Sequence, residues 1–135
     1  MDIEALMKRF VLPKRTYADK ETTMFYVYVH NLVMNELIRR KITTHRAVTF
    51  VLIFTTHGNK TRAYKEAHPM ATKRTANVNA NKYYKRFDVY VAHSITMHLV
   101  YKDRLTLAFD IKYINNYGID RYVNSLILEL WKGKL

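Results

Sequence analysis

The chain has 135 residues, the length of one domain, and 49% of them are hydrophobic, which is enough to form a packed core. It contains no cysteine, so disulfides, thiolate metal sites and cysteine nucleophiles are excluded, as is usual in a reducing compartment. The formal net charge of +12 is high for this length, and such an excess favours a polyanionic partner.

Glycine and proline are scarce, with three and two residues, and this composition favours helices over a fold built on tight turns. The N-terminus lacks the apolar run of a secretory signal. The longest apolar stretches, MFYVYVHNLVM and AVTFVLIF, are shorter than the roughly 20 residues that span a bilayer. We therefore expect a soluble, intracellular protein that does not enter a membrane.

The first predicted helix covers residues 19–41, although the alternation in TMFYVYVH is also compatible with a strand. The second helix follows Thr43 or Thr44, either of which can cap it, and it ends at Gly58, a natural C-terminal stop. Its apolar residues recur at spacings of three and four and are Ala47, Phe50, Val51 and Phe54.

Two short helices are predicted on either side of Pro69. Asn59 can cap the first, and Pro69 ends it because the residue before a proline is pushed out of the α region. Thr72 or Lys73 begins the second. One side of the first helix contains Ala63, Tyr64 and Ala67, and one side of the second contains Ala76, Ala80, Tyr83, Tyr84 and Phe87.

Three further helices are predicted in the C-terminal part. The first runs from about Asp88 to Tyr101, and Asp103 caps the second, which runs towards Gly118. The third begins near Asp120 and has a broad apolar stripe formed by Tyr122, Val123, Leu126, Ile127, Leu130 and Trp131. With these helices and no convincing strand, the predicted fold is an all-α, multi-helix domain.

The positive charge of the chain is concentrated around the two short helices. Residues 58–86 contain eight Lys and Arg residues against a single acid, Glu66, so that about a fifth of the chain holds +7 of the net charge of +12. A surface that served only solubility would spread its charge more evenly. This segment is therefore the candidate binding site for a polyanion.

The two short helices fit a helix-turn-helix. Each has two alanines one turn apart, Ala63 and Ala67 in the first helix and Ala76 and Ala80 in the second. Small side chains let two helices approach closely and cross steeply, which is the geometry of this motif. A central helix-turn-helix followed by C-terminal helices for assembly is the predicted architecture.

The opposite face of the second short helix presents basic and amide side chains: Arg74, Asn77, Asn81 and Lys85. Arg and Asn can bind guanine and adenine edges bidentately in the major groove, while lysines and helix N-termini suit phosphates. The predicted DNA-binding residues are Lys60, Arg62, Lys65, Lys73, Arg74, Asn77, Asn81, Lys82 and Lys85. An ordinary solvated helix face has the same charge pattern, so that alternative stays open.

A longer motif surrounds these helices. It consists of an apolar pair, Gly-Asn-x-Thr-x-Ala, a further Ala, a turn, Thr-Ala, a small residue, two large residues and a short segment ending in Tyr. These places are held by Phe50-Val51, Gly58-Asn59-Lys60-Thr61-Arg62-Ala63, Ala67, Thr75-Ala76, Ala80, Tyr83-Tyr84 and Val89-Tyr90. The pattern covers about fifty residues and resembles the N-terminal DNA-binding module of phage terminase small subunits.

The resemblance implies a non-enzymatic viral DNA-packaging adaptor. Such subunits form homo-oligomeric rings, bind double-stranded DNA through helix-turn-helix modules, and hand it to a terminase large subunit that contains the ATPase and the nuclease. By this resemblance residues 43–87 form the DNA-binding module, with Arg74, Asn77, Asn81 and Lys85 on its recognition helix. The protein would work in the host cytoplasm.

The segments on either side of the module have different expected roles. Residues 1–42 are predicted to form an N-terminal helical extension, and residues 88–135 a helical segment for oligomerisation or partner binding. Within the apolar stripe of the last helix, Tyr122, Ile127 and Trp131 are predicted to contact another protomer or the large subunit. Closure of the intramolecular core is the alternative role for that stripe.

Two other kinds of DNA-associated protein fit the same features. One is a helix-turn-helix transcription regulator, which would bind a palindromic site as a dimer. The other is a basic structural protein of the virion that contacts the packaged genome or the capsid, and it would then be located in the virion.

The sequence contains no motif that predicts catalysis, a cofactor or a metal site. The six histidines, including His93 and His98, do not form an HExxH motif or an i, i+4 helical pair. A glycine-rich phosphate loop is also absent. Asp103 and Asp110 lie seven residues apart, which suits cap and surface roles better than a two-metal nuclease site.

Overall fold

The computed structural model describes residues 19–135, which form seven α-helices and no β-strand. In chain order the helices are α1 (Lys20–Arg39), α2 (His45–His57), α3 (Lys60–Ala67), α4 (Lys73–Tyr84), α5 (Phe87–Val100), α6 (Arg104–Tyr117) and α7 (Ile119–Trp131). The all-α prediction is confirmed for these residues. Residues 1–18 of the predicted N-terminal extension lie outside the described part of the chain.

The helix starts that were predicted from capping residues are confirmed. In five helices the N-cap side chain accepts a hydrogen bond of 2.6 to 3.1 Å from the backbone N–H three residues further on. The predicted caps are Thr44 for α2, Asn59 for α3, Thr72 for α4 and Asp103 for α6. Asp19, which was predicted only as the first residue of the first helix, caps α1. Each cap of this kind stabilises its helix by about 1 kcal/mol.

One predicted boundary is wrong. Phe87 does not extend the apolar side of α4, because α4 ends at Tyr84 and Phe87 is exposed at the start of α5. The N–H of Arg86 donates to the carbonyl of Tyr83 over 3.0 Å, and the N–H of Lys85 donates to that of Lys82. These shorter i to i−3 bonds tighten the last turn and end the helix.

The segment TMFYVYVH lies within α1, so the strand alternative is wrong. Across α1 the buried side chains follow the three-and-four spacing of a helix and are Tyr26, Val29, His30, Val33, Met34 and Leu37. The alternation of eight residues is a local feature within this longer periodicity. α1 packs its buried side against α5, α6 and α7.

The basic segment, residues 58–86, is joined to the rest of the molecule mainly through α2. All seven residues from Ala47 to Ile53 are buried, and α2 packs against both α3 and α5. α3 in turn packs against α4. One hydrophobic core contains side chains from all seven helices, including Tyr83 from α4. The inner side of α4 is therefore packed into the common core, and its other face is exposed.

Polar contacts fix the end of α1 against α7. The Arg40 guanidinium donates to Oδ1 of Asn124 over 2.6 Å and to Oε1 of Glu36 over 2.8 Å. Glu36 is buried, and its hydrogen bonds with Arg39 and Arg40 lower the pKa of its carboxyl group to about 2. Within residues 19–135, no helix has both the length and the apolar composition needed to cross a membrane.

Candidate nucleic-acid interface

α3 and α4 form a compact helix pair around the turn at residues 68–72. The four alanines that were predicted to line their contact are all buried: Ala63, Ala67, Ala76 and Ala80. Their small side chains allow the two helices to pack closely. In the turn, the Lys65 ammonium donates to the carbonyl of Ala71 over 3.0 Å. The close packing of α3 and α4 is thus consistent with their small buried residues and with a bonded turn.

Aromatic rings support α4 from beneath. The buried ring of Tyr83 meets Phe50 of α2 and Tyr64 of α3 edge-on, with centroids 5.1 and 5.4 Å apart. His68 lies against the same ring at 4.8 Å. Burial raises the pKa of the Tyr83 hydroxyl from its ordinary value of 10 to about 12. Tyr83 therefore lies on the inner side of α4, the side on which its spacing from Ala76 and Ala80 placed it.

The opposite face of α4 is exposed to solvent, as its predicted role requires. This face consists of Lys73, Arg74, Asn77, Asn81 and Lys82, and Lys85 continues it just beyond the end of the helix. None of its cations forms an ion pair with an acid of the described residues. Positive charge that no acid of residues 19–135 neutralises is available to an external anion.

Lys60 joins the start of α3 to this face. Its ammonium lies 3.5 Å from Oδ1 of Asn81 and 4.3 Å from the centroid of the Tyr84 ring. The structure therefore brings Lys60 together with the α4 residues. Because Lys60 is also half-buried, part of its role is to position Asn81 and Tyr84.

The other two predicted residues of α3 are engaged within the chain. Arg62 is exposed but pairs with Glu66 over 3.2 Å, one turn further along the helix. Glu66 is the single acid of the basic segment, so this pair offsets the charge that Arg62 would offer to a phosphate. Lys65 is also exposed and is held near the turn by its bond to Ala71. The α4 residues are accordingly the stronger candidates for direct contact.

Val78 belongs to the exposed face of α4 and was missed by the sequence-based prediction. Its side chain is 59% exposed, and it lies on the side of the helix opposite Ala76 and Ala80. A prediction based on charge and hydrogen-bonding groups overlooks a valine. The position of Val78 between Arg74 and Lys82, one turn from each, could have placed it on the same face.

Tyr122, Ile127 and Trp131 were predicted to contact another protein, and for Tyr122 this prediction is wrong. It is only 6% exposed, and its hydroxyl donates to Oδ2 of Asp110 over 3.0 Å. Asp110 also accepts from the Lys102 ammonium over 2.6 Å, so it takes part in a half-buried ion pair rather than the predicted surface role. The inner part of the α7 stripe closes the intramolecular core, because Tyr122 packs against α6.

Ile127 and Trp131 lie at the edge of an apolar groove. The groove has a volume of about 350 Å³ and is lined by Ile42, Phe87, Tyr90, Val91, Ile127, Leu130 and Trp131. Trp131 is 75% exposed, and Phe87 and Tyr90 are also exposed. A group of exposed aromatic side chains at a groove is typical of a contact surface for another protein.

The histidines and acids of residues 19–135 nowhere form a group that could hold a metal ion. His30 is fully buried and its Nε2 lies 3.1 Å from the hydroxyl of Thr96, while His93 packs against Phe54 and Tyr84. His30 therefore has a structural role in the core, and the half-buried His93 packs at the edge of it.

Comparison with known proteins returns no relative. No protein-family model matches the chain, and no curated protein or solved structure is significantly similar to it.

Proposed function

We propose that the protein binds double-stranded DNA by inserting the exposed face of α4 into the major groove. The observation that supports this most is the pairing of two opposite faces on one short helix. One face consists of buried alanines that hold α4 against α3. The other presents amides to solvent, together with cations that form no ion pair within residues 19–135. Any surface helix has a buried and an exposed face, but a merely solvated helix usually carries charges of both signs, whereas α4 contains basic residues and no acidic ones.

The residues of this face divide between two tasks. Lys73, Lys82 and Lys85 supply charge to phosphates, which gives affinity that depends on salt but not on sequence. Arg74 and Asn77 have the hydrogen-bonding groups that distinguish guanine and adenine edges. The proposed complex therefore gains most of its affinity from charge and a smaller part from base recognition.

The narrower role that we propose is that of a viral packaging adaptor, a non-enzymatic protein that delivers DNA to a terminase large subunit in the host cytoplasm. The resemblance of residues 43–94 to terminase small subunits supports this role. Assembly into a homo-oligomer would strengthen a module with few contacts, because linked sites raise the effective concentration of one another. Ile127 and Trp131 are the proposed contact residues between copies.

A titration of a fluorescent 20-base-pair duplex at two salt concentrations tests the DNA-binding proposal. We expect Lys82→Ala with Lys85→Ala to weaken binding and to reduce the slope of log affinity against log salt by about 2. The control replaces two exposed lysines outside the module, Lys112→Ala with Lys132→Ala, and should leave the slope unchanged. Equal losses for both double variants would show that net charge alone, and not α4, binds DNA.

The mass of the native assembly, with and without duplex DNA, tests the packaging role. A homo-oligomer of many copies that binds DNA supports a packaging adaptor. A dimer that occupies one palindromic site would instead identify a transcription regulator.

A further inference from the structure

Val78 is the only apolar side chain of α4 that is exposed. Its exposure is 59%, whereas the apolar side chains on the inner side of the helix are buried or half-buried. The neighbours of Val78 on the helix surface are Arg74 and Thr75 one turn before it and Asn81 and Lys82 one turn after it. Val78 therefore lies at the centre of the face that is proposed to enter the major groove.

Among the described residues, 19–135, no contact accounts for a valine at this position. It lies directly opposite Ala76 and Ala80, away from the α3 contact. Valine is a weaker helix former than alanine, lysine or glutamate, because its branched side chain loses freedom in a helix. Helix stability and solubility would each favour another residue.

The chemistry of the major groove provides a reason for an apolar side chain there. Base pairs present hydrogen-bond donors and acceptors in this groove, together with one apolar feature, the 5-methyl group of thymine. A valine cannot donate or accept a hydrogen bond, so it distinguishes bases through that methyl group. Asn81, one turn away, has the amide that matches the adenine edge.

We propose that Val78 contacts the 5-methyl group of thymine, so that α4 prefers duplexes with thymine at the base pair that faces this side chain. The inference rests on the proposed function. It adds the kind of DNA sequence that α4 selects, which is one with an A·T pair opposite Val78. Exclusion of water from one methyl group predicts about a fourfold preference for thymine over a base without that methyl.

Deoxyuridine provides a direct test, because it differs from thymidine only in lacking the 5-methyl group. The wild-type protein first selects duplexes from a random-sequence library. One selected duplex is then synthesised with thymidine and again with deoxyuridine at every thymidine position. We expect the wild-type protein to bind the deoxyuridine duplex about fourfold more weakly.

Two variants connect that loss to Val78. Val78→Ser removes both methyl groups of the side chain and should bind the two duplexes equally. Val78→Thr keeps one methyl group in a side chain of the same shape and should retain part of the preference. Since the side chain is exposed, neither variant should alter the unfolding temperature appreciably.

Two results would overturn the inference while leaving the proposed function intact. They are equal binding of the two duplexes by the wild-type protein, and an unchanged preference for thymidine in Val78→Ser. If the wild-type protein bound no duplex at low salt, both the inference and the proposed function would be wrong.

Discussion

The ring of Tyr83 meets the ring of Phe50 edge-on, with their centroids 5.1 Å apart. Phe50 belongs to α2 and is fully buried, so this contact links α4 directly to the core. The orientation of the cationic face of α4 thus depends on an aromatic contact on its inner side.

Removal of the Tyr83 ring should destabilise the protein and disturb the position of α4. We expect Tyr83→Ala to lower the free energy of unfolding by about 3 kcal/mol, because a large buried ring is lost and a cavity remains. Urea unfolding measures this change. Tyr28→Ala, which removes an exposed tyrosine from α1, serves as the control and should cost less than about 1 kcal/mol. Equal losses in the two variants would show that Tyr83 does not anchor α4.

Residues of the α4 face should differ in how they affect DNA binding. Arg74→Ala or Asn77→Ala should reduce the preference for selected over random duplexes by about 1 to 3 kcal/mol, since each removes a base contact. Lys82→Ala should weaken binding to both kinds of duplex to the same extent, because a phosphate contact is independent of sequence. Competition titrations with the two duplexes measure the preference. Uniform losses for all three variants would remove the recognition role of α4.

Acid should destabilise the protein through His30. Burial lowers the pKa of His30 from 6.5 to about 3, so the unfolded chain takes up a proton below pH 6.5 that the folded chain does not. Stability therefore falls as the pH is lowered from 6.5 towards 3, and His30 alone accounts for about 2 kcal/mol between pH 7 and pH 5.

The variant His30→Gln isolates the contribution of His30 to the loss of stability in acid, because it leaves the other histidines unchanged. Burial also lowers the pKa of His68, His93 and His98, so part of the acid sensitivity should persist in the variant. Urea unfolding at pH 7 and pH 5 should show a smaller loss for His30→Gln than for the wild-type protein. The same loss in both proteins would show that the His30 imidazole is protonated in the folded state.

Trp131 and Tyr122 should behave differently although both belong to the α7 stripe. We expect Trp131→Ala to lower the oligomeric state and to leave the monomer folded, because Trp131 is 75% exposed at the groove. Tyr122→Phe should instead destabilise the monomer by about 1 kcal/mol, since it removes the hydrogen bond to Asp110. Light scattering and thermal unfolding measure the two effects. An assembly of unchanged size in Trp131→Ala would exclude Ile127 and Trp131 as the contact between copies.

Local signals in the sequence were sufficient to predict most of the helix limits. Side chains such as Asn59 and Asp103 cap helices through bonds that span three residues, and Gly58 ends α2 with a φ of +69°, so these features depend little on distant parts of the chain. The alanine pairs likewise predicted which sides of α3 and α4 are in contact.

Features that depend on distant neighbours could not be read from periodicity. The α7 stripe indicated an apolar surface, but only the packing of α6 decides that Tyr122 is covered while Trp131 is exposed. The ion pair of Asp110 with Lys102 depends on the same packing. Val78 was missed for a different reason. The DNA-binding residues were predicted from charge and hydrogen-bonding groups, and a valine has neither.

The central claim is that the exposed face of α4 binds duplex DNA, and the most direct test is whether bound DNA protects lysines from acetylation. Mass spectrometry measures the acetylation of each lysine whatever the oligomeric state. If the exposed face of α4 binds DNA, a saturating duplex should protect Lys73, Lys82 and Lys85 and leave Lys112 and Lys132 as reactive as in the free protein. Unchanged reactivity of Lys73, Lys82 and Lys85 in a complex that does form, or protection confined to Lys112 and Lys132, would contradict it.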